Sequence, residues 1–175
     1  LTFHVNFVNL ILHKETDFSG REWMKIFMIE SAKQLINLGE SLGKLMEPGD
    51  LLFLFGELGA GKTTLTKGIA KGLGVADPIT SPTFQLKKTY QGRTVFNHLD
   101  LYRLRSLLEL DIIEPDELVE EGVTVVEWGR LLLDKLQPDF LEIQIDIGAD
   151  PLKREVIFKP HGLRYRKLLE EFKPC

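Results

Sequence analysis

The segment GELGAGKTT at residues 56–64 constrains the fold more than any other part of the chain. It follows the apolar run LLFLF at 51–55 and leads into LTKGIA at 65–70. A short continuous apolar run is the pattern of a strand covered on both faces. The spacing G-x-x-x-x-G-K-T behind such a strand, opening a helix, is that of a phosphate-binding loop. Gly56, Gly59 and Gly61 let the backbone turn tightly and aim N–H groups inward, and the positive end of the helix adds to the attraction for phosphate oxygens. Lys62 brings a mobile cation to the β- and γ-phosphates, while the Thr63 hydroxyl is placed to ligate magnesium. Such a loop reads phosphates only, so the base and the acceptor stay open.

Around this loop the chain reads as one α/β domain. Its 175 residues, 43% of them hydrophobic, suffice for a single core. Leu35, Leu38, Leu42 and Leu45 recur at helical spacing, predicting a helix over 31–46 that Pro48 and Gly49 end. A second helix is expected over 61–73 with Gly74 as its C-cap. Strands are expected over 84–89 and 94–99, joined by Gln91-Gly92-Arg93, and over 123–126, 140–147 and 155–159. Helical stretches are expected over 106–110, from Asp116, and over 163–172. This order predicts a three-layer P-loop NTPase-like domain over 28–175, with a central mixed β-sheet flanked by helices. Residues 1–27 scatter aromatic and β-branched residues among His4, Asn6, Asn9 and His13. They read as an accessory N-terminal extension, an edge strand or irregular chain, or as a start placed upstream of Met24 or Met28.

Composition excludes several classes. A net charge of −4 gives no broad attraction for a polyanion, so nonspecific nucleic-acid binding is not the chain's main work. The single cysteine, Cys175, leaves no internal disulfide and no cysteine cluster for a structural metal. The apolar run at 7–12 is too short to span a bilayer and lacks the flanks of a signal peptide. The expectation is a cytoplasmic protein.

Magnesium beside a phosphate loop calls for an acid at the carboxyl end of a neighbouring strand. Asp100 closes the strand at 94–99 and Glu127 the strand at 123–126. One would hold the metal and the other position water; the residues alone leave the assignment open. Thr80, Ser81 and Thr83 flank Pro82 in the loop after the glycine-rich helix, either as a switch sensing the γ-phosphate or as a rigid turn. His98 reads as a packed strand-end side chain or as a catalyst, Trp128 as a shield beside the nucleotide or as core, and Arg103 as a phosphate or partner contact or a surface residue. Asn97-His98-Leu99-Asp100 matches the guanine-reading N-K-x-D pattern only weakly, which makes adenine the default base.

The phosphate loop, Ser81-Pro82-Thr83, the run His98-Leu99-Asp100-Leu101-Tyr102-Arg103 and Glu127-Trp128 stand in an order that resembles the TsaE (YjeE) family, the small bacterial P-loop ATPases of tRNA threonylcarbamoyladenosine biosynthesis. The resemblance covers roughly residues 30–160. It implies that ATP and Mg2+ bind and that hydrolysis, slow without partners, supports multiple turnovers of the TsaD and TsaB proteins. Those partners would modify adenosine 37, and tRNA would be met through their complex. Carried over by residue, Gly59, Ala60, Gly61, Lys62, Thr63 and Thr64 would hold the nucleotide phosphates. Thr63 and Glu127 would ligate magnesium, Lys62 and Asp100 would serve catalysis, and Ser81, Thr83 and Trp128 would flank the nucleotide. The sequence departs from the family twice. Residues 30–34 lack the family's threonine, with Ser31 as the nearest substitute, and residues 109–115 lack its glycine.

Two other readings use the same loop. A small P-loop kinase for a nucleotide or metabolite should carry an arginine-bearing lid, whereas Arg103 and Arg105 are followed by an acidic and apolar stretch. A nucleotide-dependent interaction module would use the acidic residues between Glu109 and Glu121 as its partner surface.

Overall fold

The computed structural model describes residues 9–14, 23–82, 85–104, 122–136 and 139–174. Eight strands among them form one mixed sheet. In chain order these are β1 (Asn9–Lys14), β2 (Met24–Ile29), β3 (Leu51–Phe55), β4 (Lys87–Gln91), β5 (Val95–Asp100), β6 (Val123–Glu127), β7 (Phe140–Ile147) and β8 (Arg154–His161). Their order across the sheet is β1-β2-β8-β7-β3-β6-β5-β4. The central strands β7, β3, β6 and β5 run parallel, and every pairing outside them is antiparallel. The glycine-rich loop therefore leaves the sheet between β7 and β6, with the carboxyl end of β5 one strand further on.

Helices cover both faces, as the α/β expectation required. All of β3 is buried. Its Leu52 and Leu54 join one core cluster with α1 (Ala32–Gly43), α2 (Lys62–Gly72) and α4 (Leu163–Glu171). Leu51, Phe53 and Phe55 face the other way, into a second cluster with Leu132 of α3 (Arg130–Leu136). Among the described residues no helix is long and apolar enough to cross a membrane.

Two helices carry the loop's position. Ser31 caps α1, its Oγ accepting from Gln34 N at 3.3 Å, and Leu35, Leu38 and Leu42 are buried beneath it. Glycines at four-residue spacing on each helix then bring α1 and α2 into backbone contact. A Cβ at Gly43 would lie 2.2 Å from Ile69 O, and one at Gly68 would lie 2.2 Å from Ile36 O. Gly39 and Gly72 are equally tight, 2.5 Å from Leu65 O and 2.3 Å from Glu40 O. The start of α2, which bears Lys62 and Thr63, is thus held by main chain rather than by adjustable side chains.

The strand expected over 84–89 forms at Lys87–Gln91. It is an edge strand with an exposed–intermediate alternation, so pairing with β5 sets its limits more than its own side chains do. Gly74 lies just past the C-cap residue Leu73, at φ 75°, and its N–H donates to Lys71 O. The strand β2 spans the boundary drawn between residues 27 and 28, and its Phe27 is fully buried against Phe158 and Phe172. The helical stretches expected at 106–110 and from 116 lie outside the described residues, as do Thr83 and the acidic run at 109–121.

Candidate nucleotide site

The glycine-rich loop turns where only glycine is comfortable: Gly56 has φ 144° and Gly61, the N-cap position of α2, has φ 115°. Leu65 N donates to Gly61 O, opening the helix, and the amides of the first helical turn have no partner within the helix. Lys62 is 5% exposed, and its Nζ donates to Gly56 O at 2.8 Å and Glu57 O at 2.9 Å. Burial pushes its ammonium below the ordinary lysine value, opposed by the carboxylates of Glu127 and Asp100. A buried cation held by two loop carbonyls is costly to leave unpaired, which suits it to phosphate oxygens.

The sheet brings the two acids side by side. Asp100 and Glu127 are register partners across the parallel β5–β6 pair, so both carboxylates emerge at the same edge, opposite the loop. Glu127 is 2% exposed and reaches α2. Its Oε2 accepts from Thr63 Oγ1 at 3.1 Å, while its Oε1 lies 2.8 Å from His98 Nε2 and 3.2 Å from Thr66 Oγ1. The Thr66 hydroxyl also lies 3.0 Å from Lys62 O, so one proton is shared between two acceptors. A carboxylate only accepts, so in the His98–Glu127 contact the hydrogen sits on Nε2. His98 is fully buried, as its reading as a packed residue required, and among the described residues its Nδ1 has no hydrogen-bond partner.

Asp100 is held separately. Its Oδ2 accepts from Ser81 Oγ at 2.6 Å and its Oδ1 from Tyr102 N at 3.1 Å. Beside it, Trp128 leaves β6 at φ 61°, a conformation that is strained for a bulky side chain. That turn sets the indole 4.0 Å from Lys62 Nζ, where the cation meets the ring face, and 5.0 Å from the Tyr102 ring. Gly129 follows because a Cβ there would lie 2.5 Å from the Phe53 ring.

These residues enclose a cavity of about 330 Å³ lined by Leu58, Gly59, Gly61, Lys62, Thr63, Thr64, Ser81, Asp100, Glu127 and Trp128. Of the residues that the family resemblance assigns to the site, all except Ala60 and Thr83 line it, whereas the candidates Gly56, Thr80, His98 and Arg103 do not. Ala60 is buried behind the loop, and Thr83 lies outside the described residues. A second cavity of about 400 Å³ lies on the other side of the loop. Its walls are Ile29, Glu30, Ser31, Ala32 and Leu35, the loop residues Gly59, Ala60, Gly61 and Thr64, and Pro151, Leu152 and Arg154. Ser31 is therefore at this second cavity as well as at the cap of α1.

The donor set fits magnesium. A hydroxyl and a carboxylate are hard oxygen ligands, and they already meet at 3.1 Å. Among the described residues no group of three or more His, Cys, Asp or Glu could hold a metal alone. A hydroxyl–carboxylate pair suits an ion that takes few protein ligands and completes its shell with phosphates and water, as magnesium does.

Sequence reasoning passed over two residues here. Thr66 stands one turn beyond Thr63 on α2, and that three-residue spacing is the signal that would have placed it on the same face. Arg154, at the start of β8, carries no local motif and meets the loop only through the sheet order.

Residues 29–156 match the family model described as "Threonylcarbamoyl adenosine biosynthesis protein TsaE". The protein called tRNA threonylcarbamoyladenosine biosynthesis protein TsaE in Bacillus subtilis is 40% identical over 144 residues, covering 81% of this chain and 87% of its own. Its namesake in Treponema pallidum is 41% identical over 121 residues, covering 69% of this chain and 90% of its own. The crystal structure of Bacillus subtilis YdiB superposes with a TM-score of 0.75 at 33% identity, covering 88% of this chain and 97% of that one.

Proposed function

The chain belongs to the TsaE family, and from that premise we propose that it is a magnesium-dependent ATPase, slow alone, whose turnover supports repeated rounds of tRNA N6-threonylcarbamoyladenosine formation at position 37 by the TsaD and TsaB proteins in the cytoplasm. The observation that carries the reading is the meeting of Thr63 and Glu127 at 3.1 Å beside the glycine loop, with the Ser81–Asp100 pair across the same cavity. Phosphate binding, metal binding and the orientation of water are three separate demands, and this one cavity offers groups for all of them.

In this reading the amides at the start of α2 and the Lys62 ammonium hold the β- and γ-phosphates. Thr63 and Glu127 hold magnesium, which when bound neutralises phosphate charge. Hydrolysis breaks the bond between the γ-phosphorus and its bridging oxygen as a water oxygen bonds to phosphorus, and Asp100 is the carboxylate that orients that water. The hydroxyl of Ser81 touches both the cavity and Asp100, so loss of the γ-phosphate would reach the segment bearing Ser81 and, two positions on in the sequence, Thr83, and through it a partner. Trp128 covers Lys62, and the base takes the neighbouring cavity of about 400 Å³, whose Ile29, Ala32, Leu35 and Pro151 offer an apolar lining for a planar ring. The tRNA is met through the partner complex, in keeping with the chain's net charge of −4.

Lys62→Ala tests the binding half of this account. By calorimetry the variant should bind ATP at least about tenfold more weakly, the value of one charge-assisted contact, with an unchanged circular dichroism spectrum. Unchanged affinity and unchanged phosphate release in a folded variant would defeat the assignment.

A further inference from the structure

Arg154 begins β8 and pairs in register with Ile29 of β2 on one side and Ile147 of β7 on the other, so its backbone is fixed within the sheet. Among the described residues its guanidinium donates only to main-chain carbonyls. Nη1 donates to Pro151 O at 2.6 Å and Lys153 O at 2.8 Å, within its own turn. Nε donates to Ala60 O at 2.9 Å, and Nη2 reaches Gly59 O at 3.4 Å. One planar fork thus bridges the β7–β8 turn and the phosphate loop across more than ninety residues of chain.

The consequence follows from peptide geometry. The chain contains no cis peptide bond among the described residues, and in a trans peptide the C=O and the next N–H point in opposite directions. Drawing Ala60 O toward Arg154 therefore turns the N–H of Gly61 away from it, toward the side on which Lys62 and Thr63 begin the helix. Gly61, at φ 115°, has no side chain to resist other settings, so something outside the loop must choose this one. The same guanidinium also walls the cavity of about 400 Å³. Lys153 and Glu30, 3.3 Å apart, tie its turn to the start of α1 across that cavity.

We propose that Arg154 is a positioning residue of the phosphate loop: by holding the Ala60 carbonyl it orients the Gly61 amide toward phosphate, and it couples that setting to the contents of the neighbouring cavity. This rests on the reading of the loop as a nucleoside-triphosphate site. Lysine cannot replace arginine here, because an ammonium carries a point charge with three donors and cannot span two loop carbonyls and two turn carbonyls in one plane.

The test compares wild type, Arg154→Lys and Arg154→Ala by calorimetry with magnesium present, using ATP and inorganic tripolyphosphate, at a temperature where each is folded by circular dichroism. Arg154→Ala should lose about tenfold in affinity for both ligands, by similar factors, with Arg154→Lys between it and wild type. Equal loss for a ligand without a base is what a loop-orienting role predicts and a simple base contact does not. If Arg154→Ala binds tripolyphosphate as tightly as wild type, whether or not ATP binding falls, the proposal is overturned while the nucleotide reading stands. Wild type that binds neither ligand would overturn both. Should Arg154→Ala fail to fold, Arg154→Lys decides alone: wild-type affinity for tripolyphosphate would refute the proposal, and weakened affinity for both ligands would support it.

Discussion

The two walls of the candidate site are built from different materials. On the loop side the frame is backbone, with the side chains of Lys62 and Thr63 set on it: glycines at positive φ, amides at the start of α2, and an α1–α2 contact so close that Cβ atoms at four glycines would strike main chain. On the strand side the working groups are side chains, Ser81, His98, Asp100, Glu127 and Trp128, supplied by separate segments and assembled by the order β3-β6-β5. A backbone wall can be fixed before ligand arrives and offers phosphate a rigid cradle. A side-chain wall can trade partners, which is what metal binding and a hydrolysis-linked switch require.

The contrast predicts that changes on the strand side impair chemistry and metal binding, whereas changes behind the loop impair stability. The largest effect is expected from Asp100→Asn. Phosphate release should fall by about two to four orders of magnitude, the range for loss of a positioned acid or base, while ATP affinity measured by calorimetry stays within about threefold. A parallel loss of binding would place Asp100 in ground-state recognition and blur the distinction.

His98→Ala sharpens the strand side further. Without the imidazole, Glu127 Oε1 keeps only the Thr66 contact, so the carboxylate is less firmly aimed at Thr63. The magnesium concentration at the midpoint of metal-dependent ATP binding should rise about tenfold, the lower end of what residues orienting metal ligands contribute. ATP binding in excess chelator should not change. An unmoved midpoint would reduce His98 to packing.

Behind the loop, Gly68→Ala should cost about 1–3 kcal/mol of stability in urea unfolding, because its Cβ meets Ile36 O in a rigid main-chain contact. That loss should appear although alanine is intrinsically the better helix former by about 1 kcal/mol. Stability equal to wild type would mean that the helices separate freely and that the backbone wall is softer than described.

The smallest effect belongs to the outer surface of the same helix pair. Hydrogen bonds from Lys71 and then Lys44 hold the Glu40 carboxyl below its ordinary value of 4.5. A depressed acid contributes stability above its unfolded value and loses it as pH falls through the lower folded value. Glu40→Gln should therefore be less stable than wild type near neutrality by at most about 1 kcal/mol, since both lysines are largely exposed. The gap should narrow as urea unfolding is moved from about pH 5 to about pH 3. A gap that widened on acidification would contradict the assignment.

The same division explains what could be read from sequence. Loop, β3 and α2 are contiguous, and their signals are local: an apolar run, spaced glycines and a helix. The strands at Leu51–Phe55 and Phe140–Ile147 fall where their apolar patterns place them. The acids Asp100 and Glu127 were legible as strand ends, but that His98 and Thr66 converge on one oxygen of Glu127 depends on sheet order and on the facing of α2, which no local pattern carries. The strand β2 was hidden by Lys25, an inward-facing lysine in an otherwise apolar run. It is 5% exposed and donates to Phe172 O, while burial pushes its ammonium below the ordinary value. The short helix α3 escaped because seven residues have little helical tendency alone, and it forms where Leu132 packs into the cluster of Phe53 and Val126.

The central claim, that ATP turnover at this site serves repeated cycles of a partner complex, is tested most directly by reconstitution with tRNA, threonylcarbamoyl adenylate and the TsaD and TsaB proteins, counting modified tRNA per complex over time. Wild-type protein with ATP and magnesium should carry the count well past one per complex, while Asp100→Asn should leave it near the value without added protein, although it still binds ATP. A count that wild type fails to raise, or that Asp100→Asn raises as much as wild type, would contradict the account.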